Sequence, residues 1–359
     1  MPILVVPMNP EFFPEAALLL AGVLAGAIAL RLVFARQLSR AMRVGAAGIG
    51  GILVAFALGK SHTLHSGYST SADTKRPSGM SAVEADTLLR SYAKDRAETN
   101  EWLKSSPTSY LATVLRQDFG DRVSLTLGSA PGNDVRLEDP GVRPRHLRVT
   151  VVGDSFHVET LTPGARFQVK DVEMTSATLP SGGIKVGRFS LRLSHQRFPA
   201  IIVFDPKSPR YTLFKGVRYF PPDLSYHIVE ALTPNPKPDT TVILSTRGNR
   251  RRAVRVGWFD FKVKGAPCRL EATRLLEPGV GEKDFGLFFT DATTGKESYS
   301  VGRYLDASPR PDGRYVLDFN ACYNPACAYS EHYNCPIPPQ ANRLKVAIRA
   351  GEMDSHYMH

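Results

Sequence analysis

From Tyr110 onward the chain is cut into short alternating runs of five to seven residues. The cuts are turn signals: Gln117-Asp118-Phe119-Gly120-Asp121-Arg122, Ser129-Ala130-Pro131-Gly132-Asn133-Asp134, Val151-Val152-Gly153-Asp154, Thr162-Pro163-Gly164 and Pro180-Ser181-Gly182-Gly183. Apolar and polar residues alternating between Gly, Pro, Asn and Asp clusters put one face of a strand inward and return the chain at each turn. This texture excludes a helical or parallel α/β architecture and dictates antiparallel sheets. It runs to about Pro206. A second series follows, with turns at Ser245–Arg251, Val263–Pro267, Glu277–Asp284, Thr294–Glu297 and Ser308–Arg314. The expected fold class is mainly β, with two β-domains at 107–206 and 207–352 and a tail at 353–359.

Before the strands the sequence predicts one amphipathic helix over 81–106. Ser81 and Glu84 have capping-box spacing. Val83, Leu88, Tyr92 and Leu103 form its apolar face, and Ser105-Ser106-Pro107 ends it. Residues 61–80, rich in Ser and Thr, read as a flexible tether, with His62 and His65 as solvated members.

Residues 1–60 have a different composition. Ala16–Leu30 and Val44–Gly59 carry no charge, and Arg36, Arg40 and Arg43 lie between them without an acid. A two-helix membrane hairpin with its basic loop in the cytoplasm fits this pattern, with the membrane as partner of the N-terminal segment. A cleaved signal peptide starting at Met42 fits it too, with the small-residue pattern Ala55-Phe56-Ala57. Under the first reading the protein is a cell-membrane protein, and under the second it is secreted or periplasmic. Both place the folded domains outside the cytoplasm.

The net charge is +11 over 359 residues, spread along the chain rather than gathered in a patch. A diffuse excess excludes a nucleic-acid partner as the working reading. No glycine-rich loop follows a strand and opens a helix, so nucleotide binding has no motif here. The densest basic run is Arg247, Arg250, Arg251, Arg252 and Arg255. It reads as a solvated hairpin, with an anionic ligand as the alternative.

The richest chemistry lies in residues 318–339. Cys322, Cys327 and Cys335 stand with His332, three asparagines and four prolines, and the fourth cysteine, Cys268, is remote. In an oxidising compartment a Cys327–Cys335 disulfide is the simplest expectation. Zinc held by Cys322, Cys327, His332 and Cys335 is an alternative, although its spacing forms no paired knuckles. Otherwise no cofactor is expected. If Cys322 pairs with another cysteine, Cys268 is the candidate. Arg303, Asp318, Asn320, Asn324, Asn342 and Arg343 are costly to bury alone. Either they pair as a structural network or they line a polar pocket, with Tyr299, Tyr304 and Tyr323 as its aromatic wall. The ligand-binding set is therefore Tyr299, Arg303, Asp318, Asn320, Tyr323, Asn324, His332, Asn342 and Arg343, with a small polar or anionic ligand. A hydrolase reading uses Asp318, His332 and Arg303, and a nucleophile reading adds Cys327 or Ser298.

Two resemblances follow from particular motifs. Gly128, Asn133-Asp134-Val135, Leu137, Asp139 and the Val142…His146 spacing resemble the forkhead-associated fold. That family reads phosphothreonine through an Arg after the glycine and a Ser after the valine. Here those positions are Ser129 and Arg143. A hydroxyl cannot fork onto phosphate oxygens as a guanidinium does, so the resemblance implies the sandwich without a phosphothreonine-peptide partner. Asn133, Asp134 and His146 are expected to hold loops. The stretches 214–223, 287–305 and 314–352 resemble the bacterial and archaeal domain of unknown function 1684 family, a resemblance reaching over 85–352. It implies an exported or lipid-anchored two-part β-protein and no known reaction. The sequence alone supports a binding or scaffold module of the cell envelope, with an extracytoplasmic hydrolase as the rival.

Overall fold

The computed structural model describes residues 77–355. The proposed membrane hairpin or signal region, the tether to Arg76 and the last four residues lie outside the described residues. Among the described residues no helix is long and apolar enough to cross a membrane.

The first helix, α1, spans Ala82–Ser105, and Ser81 caps it by accepting from the Glu84 amide at 3.1 Å. Its buried residues are Ala85, Tyr92 and Leu103. Val83 is 77 % exposed, so the inward stripe begins at Ala85 rather than at Val83 as the sequence suggested.

Two sheets then face each other. One runs in the order 113–118, 199–204, 189–195, 182–186, 167–169, 172–174; the other in the order 135–136, 124–128, 147–152, 155–160, 176–180. Register explains the core between them. Leu125 faces Val149, Leu127 faces Leu147, Leu191 faces Val203 and Leu193 faces Ile201. All eight are buried in one apolar cluster with Phe156 and Phe167. Period-2 alternation therefore fills the space between two sheets, the packing of a β-sandwich.

The C-terminal part is organised by a long hairpin, Arg250–Val263 with Ala266–Leu275. Its turn, Lys264-Gly265, has positive φ at both residues (49° and 84°), the geometry that suits the twist of a two-residue hairpin. Gly257 sits at the register shift in the long strand. A Cβ there would lie 2.3 Å from the Thr233 carbonyl oxygen, so only glycine permits the pairing with Thr233-Pro234. Around the hairpin lie a three-stranded sheet (227–230, 315–318, 307–309) and a two-stranded one (287–289, 303–305). Phe259, Leu270, Phe289, Leu317, Phe319 and Ile348 fill the core between them.

After Asp318 strands give way to single turns and extended segments. Arg303 holds this part down. It is fully buried and donates to the carbonyls of Ile348 (2.8 Å), Ala350 (2.6 Å) and Glu352 (3.2 Å), with Asp291 at 3.4 Å. Asp291 in turn accepts from the Ile348 amide and from the Thr293 and Thr294 hydroxyls. Arg303→Met would strand a buried carboxylate and three carbonyls together. It should destabilise the C-terminal part by about 3–5 kcal/mol, the cost of breaking a buried pair. Urea unfolding followed through Trp258 on the adjacent hairpin checks this, and an unchanged midpoint would show the pair to be dispensable.

Candidate functional site

Eight of the nine residues of the proposed ligand set fall into two groups, and the ninth, His332, stands apart. The first is consumed in holding backbone. Asn342 is fully buried; its Nδ2 donates to the carbonyls of Glu271 and Phe288, and its Oδ1 accepts from the Glu271 amide. Asn324 Nδ2 donates to Met353, and its amide donates to the buried Glu352 carboxylate. Asn320 exchanges two hydrogen bonds with the backbone of Asp223. Tyr299 donates to the Cys327 carbonyl and Tyr304 to that of Pro336. Arg303 staples 348–352 as described. These are substitutes for ladder hydrogen bonds in a segment where proline removes donors.

The second group is less deeply buried. Asp318 ends the strand 315–318 and is the cross-strand partner of His227. Its Oδ2 accepts from the Tyr92 hydroxyl at 2.8 Å and faces His227 Nδ1 at 3.1 Å, while Oδ1 accepts from the Asn320 amide. The side chains of His227 and Asp318 are 12 % and 16 % exposed. Burial and the neighbouring Asp318 carboxylate push the Tyr92 hydroxyl well above its usual range, so Tyr92 is a fixed donor. The Asp318 carboxylate orients one nitrogen of the imidazole, and the ring stands near the surface at the junction of α1 and the three-stranded sheet. Tyr323 is half-buried with its hydroxyl 3.4 Å from Asp306, and Arg343 is exposed.

His332 lies elsewhere. Its Nε2 is 3.4 Å from Glu331, whose carboxylate takes two hydrogen bonds from Arg210. Asp318, His332 and Arg303 thus belong to three separate networks and form no hydrolase constellation. The nucleophile reading fails similarly, because Ser298 is fully buried against Thr293 and Cys327 is buried among tyrosines.

The cysteine expectations need correction. All four cysteines are free and buried. Cys327, in the turn Ala326–Ala328, and Cys335 are packed in one buried cluster as free thiols, not as a disulfide. The neighbouring Cys335 and burial push the Cys327 thiol far above its usual range. Cys322 points instead to the Ala350 carbonyl, its thiol pushed up to about 11 by burial. The four proposed zinc ligands are not gathered, and the described residues hold no group of three or more metal-ligating side chains. Cys268 and Cys322 share the hairpin core, each donating to a carbonyl.

In the sandwich, Asn133, Asp134 and His146 hold loops. Asn133 donates to the carbonyls of Ala130 and Pro144, Asp134 accepts from Thr126, and His146 accepts from the Arg143 amide while its Nε2 meets the Arg166 carbonyl. Ser129 and Arg143 are backbone partners across two loops.

Sequence reasoning missed His227, Tyr92 and Glu352. No local signal marks His227, whose role comes from a pairing across the long gap to Asp318. Glu352 gave a weak one, an acid in an otherwise apolar-basic terminus.

Comparison with known proteins agrees with this two-part description. Residues 125–184 match the model of the FHA (forkhead-associated) domain, and residues 212–353 match that of the family described as "Protein of unknown function (DUF1684)". An uncharacterised protein of Haloarcula marismortui, solved in solution by NMR, is 33 % identical over 43 % of this chain and 85 % of its own, with a TM-score of 0.35. The chain belongs to this DUF1684 family. Among FHA structures, the FHA domain of FhaA, solved with the intracellular domain of Rv3910, is 21 % identical over 24 % of this chain and 96 % of its own, with a TM-score of 0.18. The FHA domain of the CT664 protein from Chlamydia trachomatis is 17 % identical over 23 % of this chain and 76 % of its own, with a TM-score of 0.18. No curated protein matches the chain.

Two measurements check this chemistry. Thiol titration without reductant should find no fast-reacting cysteine in the folded protein and four after unfolding; two after unfolding would mean a linked pair. His332, held below its ordinary value mainly by burial against the pull of Glu331, favours its neutral form on folding. Its contribution to stability is therefore present above about pH 6.5 and lost as pH falls below it. His332→Gln should flatten the melting profile between pH 7 and 5.

Proposed function

We propose that the protein is a binding and scaffold module of the cell envelope, with a polar ligand site at Asp318, His227 and Tyr92. One observation carries this reading: an imidazole oriented by a carboxylate stands near the surface, while the other buried polar groups of the same motif are spent on backbone. Such a ring can accept from or donate to a small polar or anionic ligand through Nε2, and Tyr323 and Asn320 lie on the adjoining segment. The FHA-like domain fits a scaffolding role. Its Ser129 and Arg143 replace the two phosphate-contacting residues of that family, so phosphothreonine peptides are not its ligands. The envelope location rests on the uncharged runs before residue 60 and the basic loop between them.

The ligand site is tested by thermal shift of the full-length protein against sugars, sugar acids, amino acids and small carboxylates. At least one compound should raise the wild-type midpoint saturably and leave His227→Gln and Asp318→Asn unmoved. Compounds that act equally on all three place the site elsewhere, and a silent panel overturns the reading. The location has a clean test because the native thiols are buried. Ser176→Cys adds one exposed thiol on an edge strand. A membrane-impermeant maleimide should label it in intact cells, and labelling only after lysis would put the folded part in the cytoplasm.

A further inference from the structure

The seam between the sandwich and the C-terminal part concentrates buried positive charge. Arg116, on the first sandwich strand, and Arg251, at the start of the long hairpin, each have side chains only 1 % exposed. Arg116 Nε donates to Asp118 Oδ1 at 2.8 Å, and the other oxygen of Asp118 is taken by Arg247 at 3.0 Å. Arg251 reaches Gln196 of the sandwich at 2.8 Å and Glu277 at 3.3 Å. The two buried guanidiniums and Arg247 sit close enough to act on one another as like charges. Arg192 adds a further cation beside Tyr110 and Tyr333, lying over the Phe204 ring with no acidic partner among the described residues. Arg210, also beside Tyr333, is paired with Glu331, so five guanidiniums are set against three carboxylates, and burial disfavours the charged form of one of these, Glu277.

Unused donors lie in the same seam. Arg116 Nη2 is buried without a hydrogen-bond partner in the protein. So are both side-chain polar atoms of Asn334, which is 2 % exposed and lies on the loop that Thr246 and Arg247 fasten through the carbonyls of Glu331, Tyr333 and Cys335. Buried polar groups without partners are few in folded proteins and each costs free energy. A charge excess beside unpartnered donors selects an anion rather than a neutral guest.

We propose that this seam is a binding site for a small oxyanion of the sulfate or phosphate class, held by Arg116 and Arg251 with the Asn334 amide. Solvent reaches it at Arg247 and Asp118, whose side chains are 35 % and 38 % exposed. The ligand bridges residues of both β-parts and so ties them together. The site is separate from Asp318 and His227, and its failure would leave that reading intact.

The test is the unfolding midpoint of the full-length protein titrated with sodium sulfate, sodium phosphate and sodium acetate, against sodium chloride at matched ionic strength. Sulfate or phosphate should stabilise saturably beyond the chloride control. Asn334→Asp, nearly isosteric, places a carboxylate among the guanidiniums and should abolish that response. Arg116→Gln should weaken it at least about tenfold, the loss of one charge-assisted contact. Arg250→Gln, on the exposed side of the same strand, should respond as wild type. If Arg116→Gln does not fold, Asn334→Asp decides. Midpoints that follow ionic strength alone, so that the seam holds only water, would overturn the proposal. So would saturation by acetate alone, or an Asn334→Asp response equal to wild type.

Discussion

Arg303 ties down a segment that has no sheet of its own. Residues 348–352 run beside the hairpin core with only an isolated bridge from Tyr219 to Glu352, and one guanidinium supplies donors to three of their carbonyls. Desolvating an arginine is expensive, and the Coulomb gain from Asp291 alone would not offset it. The carbonyl bonds and the bond from Ile348 to Asp291 complete the balance, because every charged atom they engage is also a needed backbone partner. The prolines make this arrangement necessary. Pro325, Pro336, Pro338 and Pro339 carry no amide hydrogen, so the block around them cannot join a ladder. Its asparagines, the neighbouring tyrosines and Arg303 take over backbone bonds a sheet would have made. The polar richness of the motif is therefore mainly architecture.

What was legible in the sequence is what neighbouring residues decide among themselves. Turn chemistry and period-2 alternation are local, and the sandwich strands follow them closely. Leu125 and Leu127 on one strand and Leu191 and Leu193 on another point inward as alternation requires. The start of α1 was legible for the same reason, since a cap is decided by residues three apart. Val83 was misread because the helix meets the body at Ala85 and Tyr92, and a neighbour's position leaves no trace in the helix itself. In the C-terminal part the sequence marked the polar residues as paired or pocket-lining without choosing. The choice depends on which carbonyls come to lie opposite, as Glu271 and Phe288 do for Asn342, across gaps of 71 and 54 residues.

The cysteines show the limit from another side. Spacing and proline stiffness suggested a Cys327–Cys335 disulfide, and the two residues share one buried cluster as free thiols. Whether meeting thiols are linked is decided by their surroundings and by the redox compartment, which spacing does not encode. Here both lie among Tyr299, Tyr304, Tyr329 and Tyr333, packed as small apolar residues in the cluster that joins the helix, the seam and the terminal block. The same packing removes Cys327 from any nucleophilic role, because a thiol far above its usual range is not a thiolate at neutral pH.

One connection runs through both candidate sites. Helix α1 reaches Asp318 through Tyr92, holds the Val217 amide through Asn100, and enters the seam's apolar cluster through Leu103. Near the seam, Thr113 meets the Tyr333 hydroxyl and Arg210 bonds the Thr113 carbonyl, so the first sandwich strand is fastened to the loop that carries Asn334. The ion pairs there are partly shielded from solvent and thus less screened by salt than the surface pairs of the sandwich. Helix α1, the sandwich and the motif-bearing domain are therefore joined at two polar points, one around Asp318 and the other at the arginine-rich seam. Tyr92 and Leu103 are both buried on one face of that helix, so displacing it would uncover the Asp318 network and the apolar cluster beside the seam together.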